Sequence, residues 1–169
     1  MGAGFTWDSI GDVRMGRPTL GDVTSVTAYR LALFSLRSAI ADRLGEEEAK
    51  AVFYAAGKAA GQELFRRRFA DLKTVNAFVQ GIATLFNELK VGIFRIEDAD
   101  AAAGRFEFSV LEDLDCSGTD DVGAPQCPFD EGVIAGLLGA YLGKDVTVRE
   151  SECWGAGGKM CRFQAVVDA

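Results

Sequence analysis

The chain has 169 residues, 49% of them hydrophobic and 25% charged, with a net charge of −7 from 25 acidic against 18 basic groups. That is one domain's length with enough apolar mass for a core, which excludes a disordered chain, and the acidic balance argues against a nucleic-acid partner. No histidine is present, so the commonest neutral-pH base and the commonest zinc ligand are missing, and any metal must be held by Cys, Asp or Glu.

The opening MGAGFTWDSIGD lacks the basic region and long apolar run of an export signal, and no window is apolar enough to span a membrane. A cytoplasmic protein without a membrane partner is expected. Its four cysteines are then read as thiols or metal ligands rather than disulfides.

Residues 1–22 mix Gly2, Gly4, Gly11, Gly16, Gly21 and Pro18 with short apolar spots, which predicts an arm or short hairpin ahead of a single domain over 23–169. From Thr24 to Leu44 a helical repeat runs through Val26, Tyr29, Leu33, Leu36, Ile40 and Leu44 and ends at Gly45. Leu31 and Phe34 broaden its apolar face, making it a candidate subunit contact for a homodimer. Glu46–Glu48 sign the start of a second helix, because negative charge suits the free amides of a first turn. Gly57 and Gly61 thin one face of it, for close packing or for a ligand. The run Arg66–Arg68 is read as a solvated helix face.

Val75, Phe78, Val79, Ile82, Leu85, Phe86 and Leu89 predict a third helix over 74–89. The period then changes to two. A hairpin follows, with one strand led by Val91, Ile93 and Phe94 and the other carrying Phe106, Phe108 and Val110, joined through DADAAAG. Residues 112–126 are acidic and rich in turn formers, which predicts a solvent-side loop carrying Cys116. Pro128 opens a helix stopped by Gly143, and two strands, 145–152 and 161–167, flank a glycine-rich turn. Helices, hairpin, helix, hairpin is the order of an α+β fold, with N-terminal helices packed on an antiparallel sheet of four to five strands.

Cys153 and Cys161 stand at the rims of the last hairpin, and Glu150, three residues earlier at a strand end, reaches the same point if a bulge interrupts the pleat. These donors predict a closed structural zinc site. The fourth ligand is Cys127, where a helix dipole favours a thiolate, or Cys116. Free buried thiols and a redox pair are the alternatives.

The segment CPFDEGVIAGLLGAYLGKDVTVRESECWGAGGKMCRF resembles the signature of the 4-vinyl reductase (4VR) domain, a hydrocarbon-binding module, through Cys127, Gly132, Gly136, Glu150, Cys153, Gly157, Cys161 and Phe163. The resemblance implies a zinc held by Cys127, Glu150, Cys153 and Cys161, so it selects Cys127 over Cys116. It also implies a fold related to vesicle-tethering subunits and heme-nitric-oxide-binding domains, dimerisation through the N-terminal helices, and a small hydrophobic ligand held above the zinc. Sensor relatives that bind phenols use a pocket histidine, which this chain lacks, and that leaves aliphatic or polycyclic ligands.

The function expected is therefore a zinc-containing domain that binds a hydrophobic hydrocarbon or tetrapyrrole as sensor or carrier. Candidate lining residues are Phe53, Tyr54, Phe78, Phe86, Phe94, Phe106 and Trp154, aromatic rings able to contact a flat ligand. The alternatives are a vinyl-group reductase or an accessory protein of chlorophyll biosynthesis, and a zinc-stabilised dimeric subunit without ligand. Against the reductase, GAGG at 155–158 lies inside a tight hairpin and not in a dinucleotide-binding turn.

Overall fold

The computed structural model describes residues 4–168, so Gly2 and the rest of 1–3 lie outside it. A 3-10 turn at Trp7–Ile10 and a one-turn helix α1 (Val13–Gly16) occupy the segment expected as an arm or hairpin. Then come α2 (Val26–Leu44), α3 (Glu46–Arg68), α4 (Val75–Glu88), β1 (Ile93–Asp100), β2 (Arg105–Leu111), α5 (Pro128–Leu142), β3 (Val146–Glu152) and β4 (Cys161–Val167). The strands form one antiparallel sheet in the order β1-β2-β4-β3, so the expected α+β class is borne out with four strands.

Helix starts follow the capping chemistry. Ser25 and Thr74 accept the amides of Ala28 and Ala77 at the heads of α2 and α4. Gly143, at φ 65°, closes α5 in the left-handed region that its lack of a Cβ permits.

Close helix contact organises the interior. Gly57 and Gly61 of α3 face Gly132 and Gly136 of α5, and a Cβ on Gly57 would stand 2.1 Å from the Phe129 carbonyl oxygen. A Cβ on Gly136 would stand 2.3 Å from the Lys58 oxygen. The thin face of α3 therefore serves backbone approach, not a ligand. Because α5 lies between α3 and the sheet, every residue from Gly132 to Leu138 is buried, which is why its sequence is apolar all round. Phe78 of α4 stacks on Tyr141 with ring centroids 4.2 Å apart, and Phe94 stacks on Phe108 at 5.2 Å, joining α4, α5 and the sheet.

Two local features position the site. Glu150 pairs with Phe163 and Glu152 with Arg162, so Ser151 is the extra residue of a bulge. The bulge reverses the alternation and turns Glu150 and Cys153 to the same buried side. The segment 112–126, expected as a solvent-side loop, corrects that expectation over its first part. Asp113, Asp115 and Cys116 are buried while residues 120–123 are exposed. The cause is a turn over 114–118 in which Asp113 Oδ1 accepts the amides of Asp115 (2.8 Å) and Cys116 (3.1 Å), so the carboxylate substitutes for water. Among the described residues, no helix is long and apolar enough to cross a membrane.

Candidate functional site

Four chain segments deliver their sulfurs to one point. Cys116 comes from the turn after β2, Cys127 from the head of α5, Cys153 from the end of β3 and Cys161 from the start of β4. All four are 0% exposed and none is in a disulfide. Cys127 Sγ lies 3.8 Å from both Cys153 Sγ and Cys161 Sγ, Cys153 Sγ 3.7 Å from Cys116 Sγ, and Cys116 Sγ 3.1 Å from Cys161 Sγ. With zinc–sulfur bonds of about 2.3 Å, the sulfurs of a tetrahedral site stand about 3.8 Å apart, so three of these four separations fit the ion and the fourth is tighter.

Glu150 is the fifth donor within reach of the same point. Its Oε2 accepts the Cys127 amide at 3.2 Å, and its Oε1 is buried without a partner. The glycine turn closes the group: Gly158 and Ala156 donate to the Cys153 carbonyl, and Gly155 O accepts from Val122, so the hairpin and the 112–126 segment are tied together. Gln126 N–H points at Cys153 Sγ from 3.3 Å.

The electrostatics are those of a cation site. Hydrogen bonds from Cys116 and the other thiols hold Cys153 well below the usual thiol range, and the crowding of sulfurs pushes Cys127 and Cys161 up. Protein alone thus supports one thiolate, whereas a divalent ion deprotonates its sulfur ligands outright. Burial, then the Cys153 charge, pushes Glu150 up to about 8.

Beside this cluster lies a largely apolar cavity of about 290 Å³. Leu64, Leu85, Phe86, Phe129 and Val133 form its walls, the N-terminal Phe5, Trp7 and Ile10 cover it, and Tyr29, Asp115 and Asp130 supply its polar end. Tyr29 donates its hydroxyl to Asp115 Oδ1 at 2.8 Å. Burial pushes Asp115 up to about 7 and Asp130 well above the carboxylate range, and the neighbouring Asp113 adds to both. Arg30 and Arg37 of α2 reach across to the carbonyl oxygens of Leu114 (2.8 Å), Ser117 (2.9 Å) and Gln126 (3.1 Å), tying that helix to the cysteine-bearing turn.

Of the seven aromatic candidates, Phe86 lines this cavity. Phe53, Phe78 and Phe94 are buried in the interior, and Phe106 packs against it beside Phe108. Tyr54 sits under the Arg149 guanidinium in a larger, charged concavity of about 560 Å³, and Trp154 borders a different one near Lys159. The residues that sequence reasoning passed over are Tyr29, Asp115 and Asp130. Their signal was an acid beside each cysteine, in DLDC and CPFD.

Residues 106–167 match the vinyl-4-reductase domain family, covering β2 through β4 with all four cysteines and Glu150. The chain carries a vinyl-4-reductase domain. It is 29% identical over 146 residues to an uncharacterised protein of Methanocaldococcus jannaschii, covering 86% of this chain and 79% of that one. In fold, this vinyl-4-reductase domain chain is similar to the phenol-responsive sensory domain of the transcription activator PoxR, solved with phenol (TM-score 0.66, 23% identity, 87% of this chain and 76% of that one). It is also similar to a vinyl-4-reductase family protein of M. jannaschii (TM-score 0.63, 14% identity, 99% and 100%). The expected kinship with tethering subunits and heme-nitric-oxide-binding domains holds as well. A trafficking protein particle complex subunit 3 from Naegleria fowleri superposes with TM-score 0.61 (12% identity, 85% and 95%), and an H-NOX protein of S. oneidensis with 0.56 (16%, 93% and 84%).

Proposed function

We propose that this protein binds one zinc ion and one small, mainly apolar molecule, and that the ion fixes the wall of the ligand cavity. The observation that carries the reading is shared chain. Cys116 follows Leu114 and Asp115, and Cys127 precedes Phe129, Asp130 and Val133, so the two segments that present sulfur also line the cavity. An ion bridging them holds their spacing, and thiolates are its preferred donors over a carboxylate.

The ion is held by Cys116, Cys127, Cys153 and Cys161. Glu150, the ligand implied by family resemblance, stands as an adjacent carboxyl that orients Cys127 through its amide. A closed set of four sulfurs leaves no position for water, so the metal's part is structural. The cavity, at the small end of the range for ligand sites, suits a single ring or short aliphatic body and is too small as it stands for a tetrapyrrole. The phenol carried by the similar PoxR domain supports a ligand of that size. Homodimerisation through α2 belongs to the same reading, because none of its 19 residues is buried and Val26, Leu31, Leu36 and Leu44 are exposed.

Two measurements test this. Metal analysis of purified Cys116→Ser and Glu150→Gln proteins should show zinc lost from the first and kept at one per chain in the second; the reverse pattern returns Glu150 to the coordination set. Solvent extraction followed by mass spectrometry should release a recurring apolar compound of one-ring size. Consistently empty protein that also fails to bind such compounds would end the ligand reading.

A further inference from the structure

The polar end of the cavity has an unusual charge balance. Asp113, Asp115 and Asp130 are all buried, with Asp130 3% exposed, and Asp115 and Asp130 line the cavity itself. Among the described residues, no Lys or Arg lies within ion-pair distance of any of the three carboxyls. Arg30, a cation on the covering helix, gives its Nε and Nη2 to backbone carbonyls of Leu114, Asp113 and Ser117. Oδ2 of Asp130 and Oδ2 of Asp113 have no donor at all. Nor does the metal centre supply positive charge, since four thiolates more than cancel a divalent ion.

A buried carboxyl without a donor is costly, and three together cost more, so such a group persists where a ligand completes it. The side chain on offer for hydrogen bonding is the Tyr29 hydroxyl, which Asp115 takes at 2.8 Å. Any anionic ligand, a fatty acid or phenolate included, would add like charge to this end of the cavity in a medium of low dielectric. A cation would be drawn to it.

We propose that the ligand of this cavity is a small apolar primary amine, its hydrocarbon body against Leu64, Leu85, Phe86, Phe129 and Val133 and its ammonium group received by Asp115 and Asp130. This rests on the cavity being a ligand site, and goes beyond it by naming the head group. The ammonium offers three N–H donors and the charge that the carboxyls lack, so discrimination is set by charge rather than by shape. The N-terminal turn of Trp7–Ile10, anchored through the Trp7 amide to Glu63 at 3.0 Å, covers the apolar end.

The test is calorimetric titration of the zinc-loaded full chain with three probes of matched size: 2-phenylethylamine, 2-phenylethanol and phenylacetate. The amine should bind at least about tenfold more tightly than the alcohol, and phenylacetate should not bind. In Asp130→Asn and Asp115→Asn proteins, each checked for full zinc content, the amine should fall to within about twofold of the alcohol while the alcohol is unchanged. Alcohol or acid binding as tightly as the amine would overturn the amine assignment and leave the cavity reading standing. Amine affinity unaltered in both variants would place the amine elsewhere and overturn it too. Failure of all three probes would remove both.

Discussion

The two ends of the chain are held by different forces. From α3 onward the molecule is closed by contacts without slack: glycines of α3 and α5 in backbone contact, stacked rings, four converging sulfurs. The first 44 residues contain no buried side chain among those described and are held largely by hydrogen bonds, Arg30 and Arg37 to carbonyls, Tyr29 to Asp115 and the Trp7 amide to Glu63. A floor that cannot shift and a cover that can is the arrangement a binding cavity needs at its edge, because low local stability lets a ligand enter without disturbing the core. The contrast can be broken experimentally. Chelation of the metal should have the largest effect, since folding free energy of order 10 kcal/mol attends structural zinc sites. Hydrogen exchange should show protection lost first across β3, β4 and 113–127 and least in α4. Equal melting with and without chelator would mean that the sulfur cluster clamps nothing.

Next in size is a test of the backbone contact. Gly136→Ala puts a methyl group 2.3 Å from the Lys58 oxygen, a backbone atom that cannot move aside without parting α3 from α5. A loss of about 3 kcal/mol or more is expected from denaturant unfolding. Ala32→Leu, a larger enlargement on the exposed side of α2, should stay within about 0.5 kcal/mol. Comparable costs at the two positions would erase the distinction between floor and cover.

The sequence discloses these regions unequally. The α3, α4 and α5 spans, the two hairpins and the bulge at Ser151 were legible, because period and punctuation are local properties. The convergence of Cys153, Cys161 and Glu150 was legible for the same reason, being confined to one hairpin. What could not be read is the depth of the 113–116 turn. Its acids and turn formers are the composition of a surface loop, and only the three-dimensional neighbours, α2 above and α5 beside it, make it an interior segment that carries Cys116 into the cluster. The aromatic candidates misdirected for a related reason. Phe78 and Phe94 hold helical and strand spacing because they fill the core, so the rings most visible in the pattern are the ones committed to packing.

A smaller effect probes the polar end of the cavity. Asp130 is held well above its usual range by burial, then by the charges of Asp115 and Asp113, so its folded value exceeds the unfolded one of 3.8. Such a raised carboxyl favours the folded state most at low pH, and stability falls as pH rises from the unfolded value toward the folded one. An asparagine in its place removes that dependence and offers an amide donor to Asp113. Asp130→Asn should therefore raise the melting temperature at pH 8, by the equivalent of about 1–2 kcal/mol, and change it little at pH 5. A variant less stable at pH 8 than the parent would show that the carboxyl is already satisfied in the resting protein.

The smallest change in fold stability is expected from the exposed side of α2, where the question is association. Leu31 is 68% exposed and Leu36 56%, on a helix that touches the rest of the chain mainly through α3. An isolated exposed leucine is ordinary, but several along one otherwise unburied helix form the patch that a second copy would cover. Replacing both by Glu adds two charges per chain, which repel across a twofold contact, while neither residue belongs to the core, so the monomer fold should change by no more than about 0.5 kcal/mol per site. Sedimentation of the parent should report a dimer, and the Leu31→Glu, Leu36→Glu protein a monomer with its zinc retained. A parent that sediments as a monomer across the micromolar range would leave α2 as a cover for its own chain alone, with its outer leucines facing water.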